Sequence, residues 1–168
     1  EIARLGIEGC DASAQAVLDQ IDQDRVAAYF GKNHDKDSDS FDEDLAEDMK
    51  EQKDAVIAAY AQIAETLGDE ATADDADSIK AFEDAIDDLA VWTSVDGDDY
   101  FELRLKREML HERLGKALAM LSDKLGDEPE KDLYEQRIEL LETLGWDEWA
   151  SHERAMMLVR YPKQTSIF

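Results

Sequence analysis

Apolar residues recur at intervals of three, four or seven through most of this chain, and no stretch of useful length alternates apolar with polar residues. The first period belongs to a helix with one buried face, the second to a half-buried strand. The pattern therefore predicts an all-α fold. Only two prolines and eight glycines interrupt the 168 residues, so little obstructs long helices. A chain of this length can bury one core that stands alone, and one domain over 1–168 is expected.

The spacing predicts about six helices in antiparallel hairpins, arranged as a bundle or a short solenoid-like array. The first covers about 11–30, with Asp11 as N-cap and Ala14, Val17, Leu18, Ile21 and Ala28 on its stripe. The second covers about 41–67, striped by Leu45, Met49, Val56, Tyr60, Ile63 and Leu67. The third covers about 78–92, with Ile79, Phe82, Ile86 and Leu89 on one face. The fourth, about 98–125, carries Leu103, Leu110, Leu114, Leu118, Leu121 and Leu125, with Phe101, Leu105 and Met109 as a second stripe. A helix apolar on two sides is expected to pack between neighbours. The fifth starts with an acidic cap, Pro129 and Glu130, and carries Tyr134, Ile138, Leu141 and Leu144. The sixth starts at Asp147, carries Trp149, Met156 and Val159, and stops at Tyr161-Pro162. Gly31, Gly68, Gly97, Gly126 and Gly145 follow apolar stretches, where a helix end favours a left-handed residue. Acidic linkers are expected at 33–40 and 69–77, as the most mobile segments. No self-similar repeat of fixed period appears.

Asp and Glu number 43 against 18 Lys and Arg, a formal charge of −25. Such a surface repels nucleic acid and anionic lipid, whose phosphates need basic side chains. It keeps the chain soluble by self-repulsion, or attracts basic partners as an adaptor or DNA mimic would. The lone Cys10 allows no internal disulfide, and its redox signal is intracellular or neutral. No apolar run approaches the roughly 20 residues of a membrane span. Residues Glu1 to Gly9 show no signal-peptide pattern. A chain that starts at Glu1 is expected to be a piece of a longer protein.

The motifs that carry chemistry are incomplete. The histidines are His34, His111 and His152; Ser151-His152 are neighbours, which point to different faces of a helix. No G-x-S-x-G elbow, Walker loop, dinucleotide fingerprint or cysteine pair occurs. Asp35-Lys36-Asp37-Ser38-Asp39 resembles the start of a calcium loop, but Ser40 and Ala46 stand where the turn glycine and the bidentate glutamate belong. Glu108-Met109-Leu110-His111 is one Glu-x-x-His unit, of which a di-iron bundle needs two. No catalytic residue, cofactor or metal site is expected. Trp146, Trp149, Tyr161, Pro162 and Phe168 crowd the last stretch. They either seal the end of the helical array or form an assembly or docking surface.

The run Leu140-Leu141-Glu142-Thr143-Leu144-Gly145-Trp146, then Ala150-Ser151, Tyr161-Pro162 and Ile167-Phe168, resembles the extreme C-terminus of the tripeptidyl-peptidase II family. Ile21-Asp22-Gln23 with Ala27-Ala28-Tyr29, and Asp48-Met49-Lys50 with Gln52-Lys53, are similar to that family's helical region. So is the order of Trp92-Thr93, a long helix, an acidic turn with Pro129, and Leu144-Gly145-Trp146. The resemblance implies a large cytosolic serine exopeptidase of subtilisin type, which releases tripeptides from free N-termini. Its catalytic domain comes first, β-rich regions follow, a helical region closes the chain, and subunits stack into large assemblies. The catalytic Asp, His and Ser lie in the first domain, and no position here matches their motifs. The acidity departs from the animal enzymes, which implies a distant member. This chain would be a non-catalytic architectural region, with the rest of the parent chain and other copies as partners, and with neither nucleic acid nor membrane among them. A free-standing acidic binding module and a metal-binding bundle built around Glu108 and His111 are the rival readings.

Overall fold

The computed structural model describes residues 12–32, 42–127 and 130–162. These residues form eight α-helices and no strand, so the fold is all-α as the periodicity requires. The helices are α1 (Ala12–Gln20), α2 (Gln23–Phe30), α3 (Glu43–Glu70), α4 (Ala76–Trp92), α5 (Phe101–Leu110), α6 (Leu114–Asp127), α7 (Lys131–Thr143) and α8 (Asp147–Arg160). A 3₁₀ turn, Asp98–Tyr100, precedes α5.

Eight helices replace the expected six because two of those six break. The first breaks at Ile21-Asp22, where the Arg25 N–H donates to Asp22 Oδ1 at 3.0 Å and starts α2 afresh. A short polar side chain there competes with continuation of the preceding helix. The fourth breaks at His111–Arg113. Glu112 takes a φ of 54°, and the Arg113 N–H donates back to the Glu108 carbonyl at 2.8 Å. That is the closure usually made around a glycine. Asp11, the expected first cap, lies outside the described residues.

The contacts group the chain into two compact units, residues 1–104 and 105–168, with the boundary inside α5. In the first unit α3 is the hub, packed against α1, α2 and α4. Met49 and Val56 of α3, Phe82 and Leu89 of α4 and Val26 of α2 are fully buried. The Tyr60 hydroxyl donates to Gln23 Oε1 at 3.1 Å and ties α3 to α2. Gly68 does not end a helix; it lies inside α3, where a Cβ would come within 3.0 Å of the Phe82 ring. The glycine lets the two longest helices of the unit meet closely.

The linker expected at 69–77 is shorter than its acidity suggests. Only residues 71–75 separate α3 from α4. Ala71 is buried, the Thr72 N–H donates to Ser78 Oγ at 3.3 Å, and Asp75 caps α4. The linker expected at 33–40 lies outside the described residues.

In the second unit α7 packs against both α6 and α8. Ile138 and Leu141 of α7 meet Ala150 and Met157 of α8, with Leu118, Tyr134 and Tyr161 against them. Gly145 closes α7 at a φ of 71°, and the Trp146 N–H donates to the Leu141 carbonyl at 2.9 Å. Of the five glycines expected to be left-handed, only this one is. α6 extends to Asp127, and α7 starts after Glu130 without a side-chain cap; Pro129, expected in its first turn, lies outside the described residues. Tyr161-Pro162 follows the end of α8 as expected.

Candidate functional site

The aromatic residues singled out near the end of the sequence do different things. Tyr161 is half-buried, its ring edge-on to Tyr134 with centroids 6.2 Å apart. It closes the α7–α8 core. Trp146 and Trp149 remain 50% and 65% exposed, and Pro162 is exposed. Phe168 lies outside the described residues. Gly145 through Trp149 line an open depression of about 500 Å³ at the α7–α8 turn. A smaller hollow of about 140 Å³ lies in the first unit beside Phe30, Lys53, Val91 and Trp92, where the Lys53 ammonium sits 4.8 Å above the Phe30 ring.

The stripe read from the sequence of α8 is its outer face. Trp149, Met156 and Val159 are exposed, Val159 to 80%, whereas Ala150, Glu153 and Met157 face inward. The reversal has a specific cause. Glu153 is buried because Arg137 Nη1 of α7 donates to its Oε1 at 2.9 Å, and a buried carboxylate is tolerated when paired and hydrogen-bonded. Arg154 and Glu142 add a second α7–α8 pair at 2.5 Å. Nothing in the spacing of α8 alone tells Glu153 from a solvated glutamate. The outer row Trp149, His152, Met156, Val159 falls at steps of three and four, the spacing of a helix-pairing seam.

The residues considered for metal chemistry are otherwise engaged. Glu108 is 2% exposed, with Lys116 Nζ 2.8 Å from Oε1 and Arg113 Nε 3.2 Å from Oε2. Burial alone would raise its carboxyl. The Lys116 hydrogen bond and the charges of Arg113, Lys116 and Arg107 outweigh it and hold the group below the usual carboxylate value. Glu108 is thus a clasp between α5 and the start of α6. Among the described residues no group of three or more His, Cys, Asp or Glu is placed to hold a metal ion. Ser151 and His152 are both exposed on α8, and His34 lies outside the described residues.

The charge is unevenly divided. Residues 1–104 carry 30 acidic and 8 basic side chains, a formal charge of −22, and residues 105–168 carry 13 and 10, a charge of −3. Crowding is felt locally on α4, where burial and the neighbouring Asp84 and Asp87 raise the Asp88 carboxyl. Among the described residues no helix is long and apolar enough to cross a membrane.

Over 161 residues, 90% of the chain, the sequence is 30% identical to the tripeptidyl-peptidase 2 of Oryza sativa subsp. japonica. Over 90 residues, 52% of the chain, it is 38% identical to the tripeptidyl-peptidase 2 of Arabidopsis thaliana. The chain spans 12% and 6% of the length of these two curated relatives. No family model matches it. No solved structure matches it either. The resemblance to tripeptidyl-peptidase II read from the residues is thus found again in whole-sequence comparison, and it extends over nearly the whole chain.

Proposed function

We propose that this chain is a non-catalytic helical region, from the C-terminal end, of a tripeptidyl-peptidase II-like serine exopeptidase of the subtilisin type. Its work is architectural: it holds subunits of a cytoplasmic peptide-degrading enzyme together. The observation that carries the reading is the match over 90% of this chain to a small part of a much longer tripeptidyl-peptidase 2. Two features of the structure support a binding rather than a chemical role. Glu108, the acid of the one Glu-x-x-His unit, is spent on Arg113 and Lys116. The exposed aromatics Trp146 and Trp149 lie on a face that offers contact area to a partner. Deleting this region from the parent peptidase tests the proposal. The particle is expected to shrink by light scattering, while the active-site serine still reacts with a covalent serine-peptidase inhibitor. A particle of unchanged mass removes the architectural role.

A second reading, an acidic module for basic proteins, is favoured by the concentration of charge in residues 1–104. It requires binding to cationic partners that weakens steeply between low and physiological salt. The absence of such binding at low salt removes it.

A further inference from the structure

The hollow of about 140 Å³ in the first unit differs in charge from the rest of that unit. Its lining is Ala27 and Phe30 of α2, Lys53 of α3, and Val91 and Trp92 of α4. Phe30 is 43% exposed and Val91 76%, so its apolar lip reaches solvent. Tyr60 bonds to Gln23 and Lys53 lies over Phe30, so α2 and α3 run antiparallel here. Lys50, one turn before Lys53, and Lys32, just after Phe30, therefore stand at the same end. Three of the eight basic side chains in residues 1–104 gather there. Thirty acidic side chains share the unit. Among the described residues, none of the three lysines forms an ion pair with a carboxylate, whereas Lys80 and Lys131 are each paired within their own helices. The Phe30 ring face attracts the Lys53 ammonium by charge and leaves its N–H donors for an acceptor.

We infer that this hollow binds the free C-terminal end of a peptide whose last residue is apolar. The side chain of that residue enters the hollow, and its carboxylate meets Lys53, with Lys50 and Lys32 beside it. The inference goes beyond the architectural reading and does not depend on it.

Space and charge select this ligand. An apolar cavity of about 150 Å³ takes a benzene-sized group, so the hollow takes one side chain and not a long acyl chain. A cationic ligand, attracted from afar by the −22 of the unit, meets three ammonium groups on arrival. An Asp or Glu side chain brings a carboxylate but nothing to fill an apolar space. A terminal apolar residue carries both on one Cα. It also carries an amide N–H. α4 ends at Trp92 beside the hollow, where the last carbonyls of a helix have no helical N–H to accept.

The test is an NMR titration of the isotope-labelled 168-residue chain, at roughly 0.15 M salt, where remote charges are screened beyond about 8 Å. The probe is acetyl-Gly-Gly-Leu with a free carboxylate, and the control is the same peptide ending in an amide. The free acid is expected to move the Trp92 indole signal, identified by Trp92→Phe, saturably with a Kd on the order of 1 mM. The amide should bind about fivefold more weakly, the ratio for one exposed charge contact. Lys53→Met should erase the difference between acid and amide, and Lys53→Arg should keep it. Val91→Asp should weaken both peptides about tenfold, because it places a carboxylate on the apolar lip. Unchanged thermal unfolding confirms that each variant is folded. Should Lys53→Met unfold, Lys50→Met, at an exposed position, decides instead by shrinking the difference. No saturable shift for the free acid, equal binding of acid and amide, a preference indifferent to the lysines, or shifts confined to Trp146 and Trp149 would each overturn the inference. The architectural role is read separately, on the mass of the parent particle, and stands or falls without this result.

Discussion

Arg137 Nη1 lies 2.9 Å from Glu153 Oε1, joining the buried carboxylate of α8 to the neighbouring helix α7. The pair decides which way α8 faces. With Glu153 turned inward, Trp149, Met156 and Val159 are carried outward, and the helix keeps an apolar face for contact. Glu153→Ala should lower the unfolding free energy by about 1–3 kcal/mol, less than for a fully buried pair because Arg137 stays partly solvated. Urea unfolding measures it. A loss below about 0.5 kcal/mol would mean that the pair does not orient the helix.

The close approach of α3 and α4 at Gly68 predicts a size limit. Gly68→Ala brings a methyl within 3.0 Å of the buried Phe82 ring. Overpacking costs about 1–3 kcal/mol and the better helix propensity of alanine returns up to about 1. The variant is therefore expected to melt lower, and Phe82→Leu in the Gly68→Ala background should recover part of the loss. A melting temperature at or above the original would show that the helices can part without cost.

Two left-handed residues close helices in the second unit, and they predict opposite responses. Glu112 at a φ of 54° carries a side chain where glycine is favoured, so Glu112→Gly should raise stability by roughly 0.5–1 kcal/mol. Gly145 at 71° already has the favoured residue, so Gly145→Ala should lower it by about 1 kcal/mol. Chemical denaturation of both variants should give changes of opposite sign; a shared sign contradicts the closures described.

The Glu108 clasp predicts a pH dependence. Its folded carboxyl is held below the usual carboxylate value by Lys116 and Arg113, against the cost of burial. A group with a lowered folded pKa contributes stability above its unfolded pKa and loses it as pH falls through the folded value. Glu108→Gln should therefore be less stable than the original at pH 7, and the gap should close progressively below the ordinary carboxylate range. Parallel unfolding curves at descending pH follow it. A gap that widens on acidification would reverse the assigned sign.

The sequence made the helices legible because their stripes are long and proline is scarce. It also marked the start of α8 at Asp147 and its end before Pro162. It did not reveal the breaks at Asp22 and Glu112, which depend on one capping bond and one left-handed residue inside otherwise continuous patterns. Gly68 reads as a helix end by sequence, and only the proximity of Phe82 explains why it lies inside α3. The outer face of α8 was hidden for a related reason. Glu153 and Glu148 look alike in a chain with 43 acidic residues, and a partner on another helix separates the buried one from the solvated one. Trp146 and Trp149 stood out by type, but their exposure became visible only once Tyr161 was seen to close the core in their place.

The central claim is that this chain is the non-catalytic helical part of a longer peptidase. The intact mass and peptide map of the natural protein that contains this segment, taken from its source cells, test it most directly. The account predicts a chain several times larger than 19.0 kDa, with peptides bearing subtilisin-type Asp, His and Ser motifs upstream. A natural chain near 19.0 kDa, with no such peptides, would contradict it.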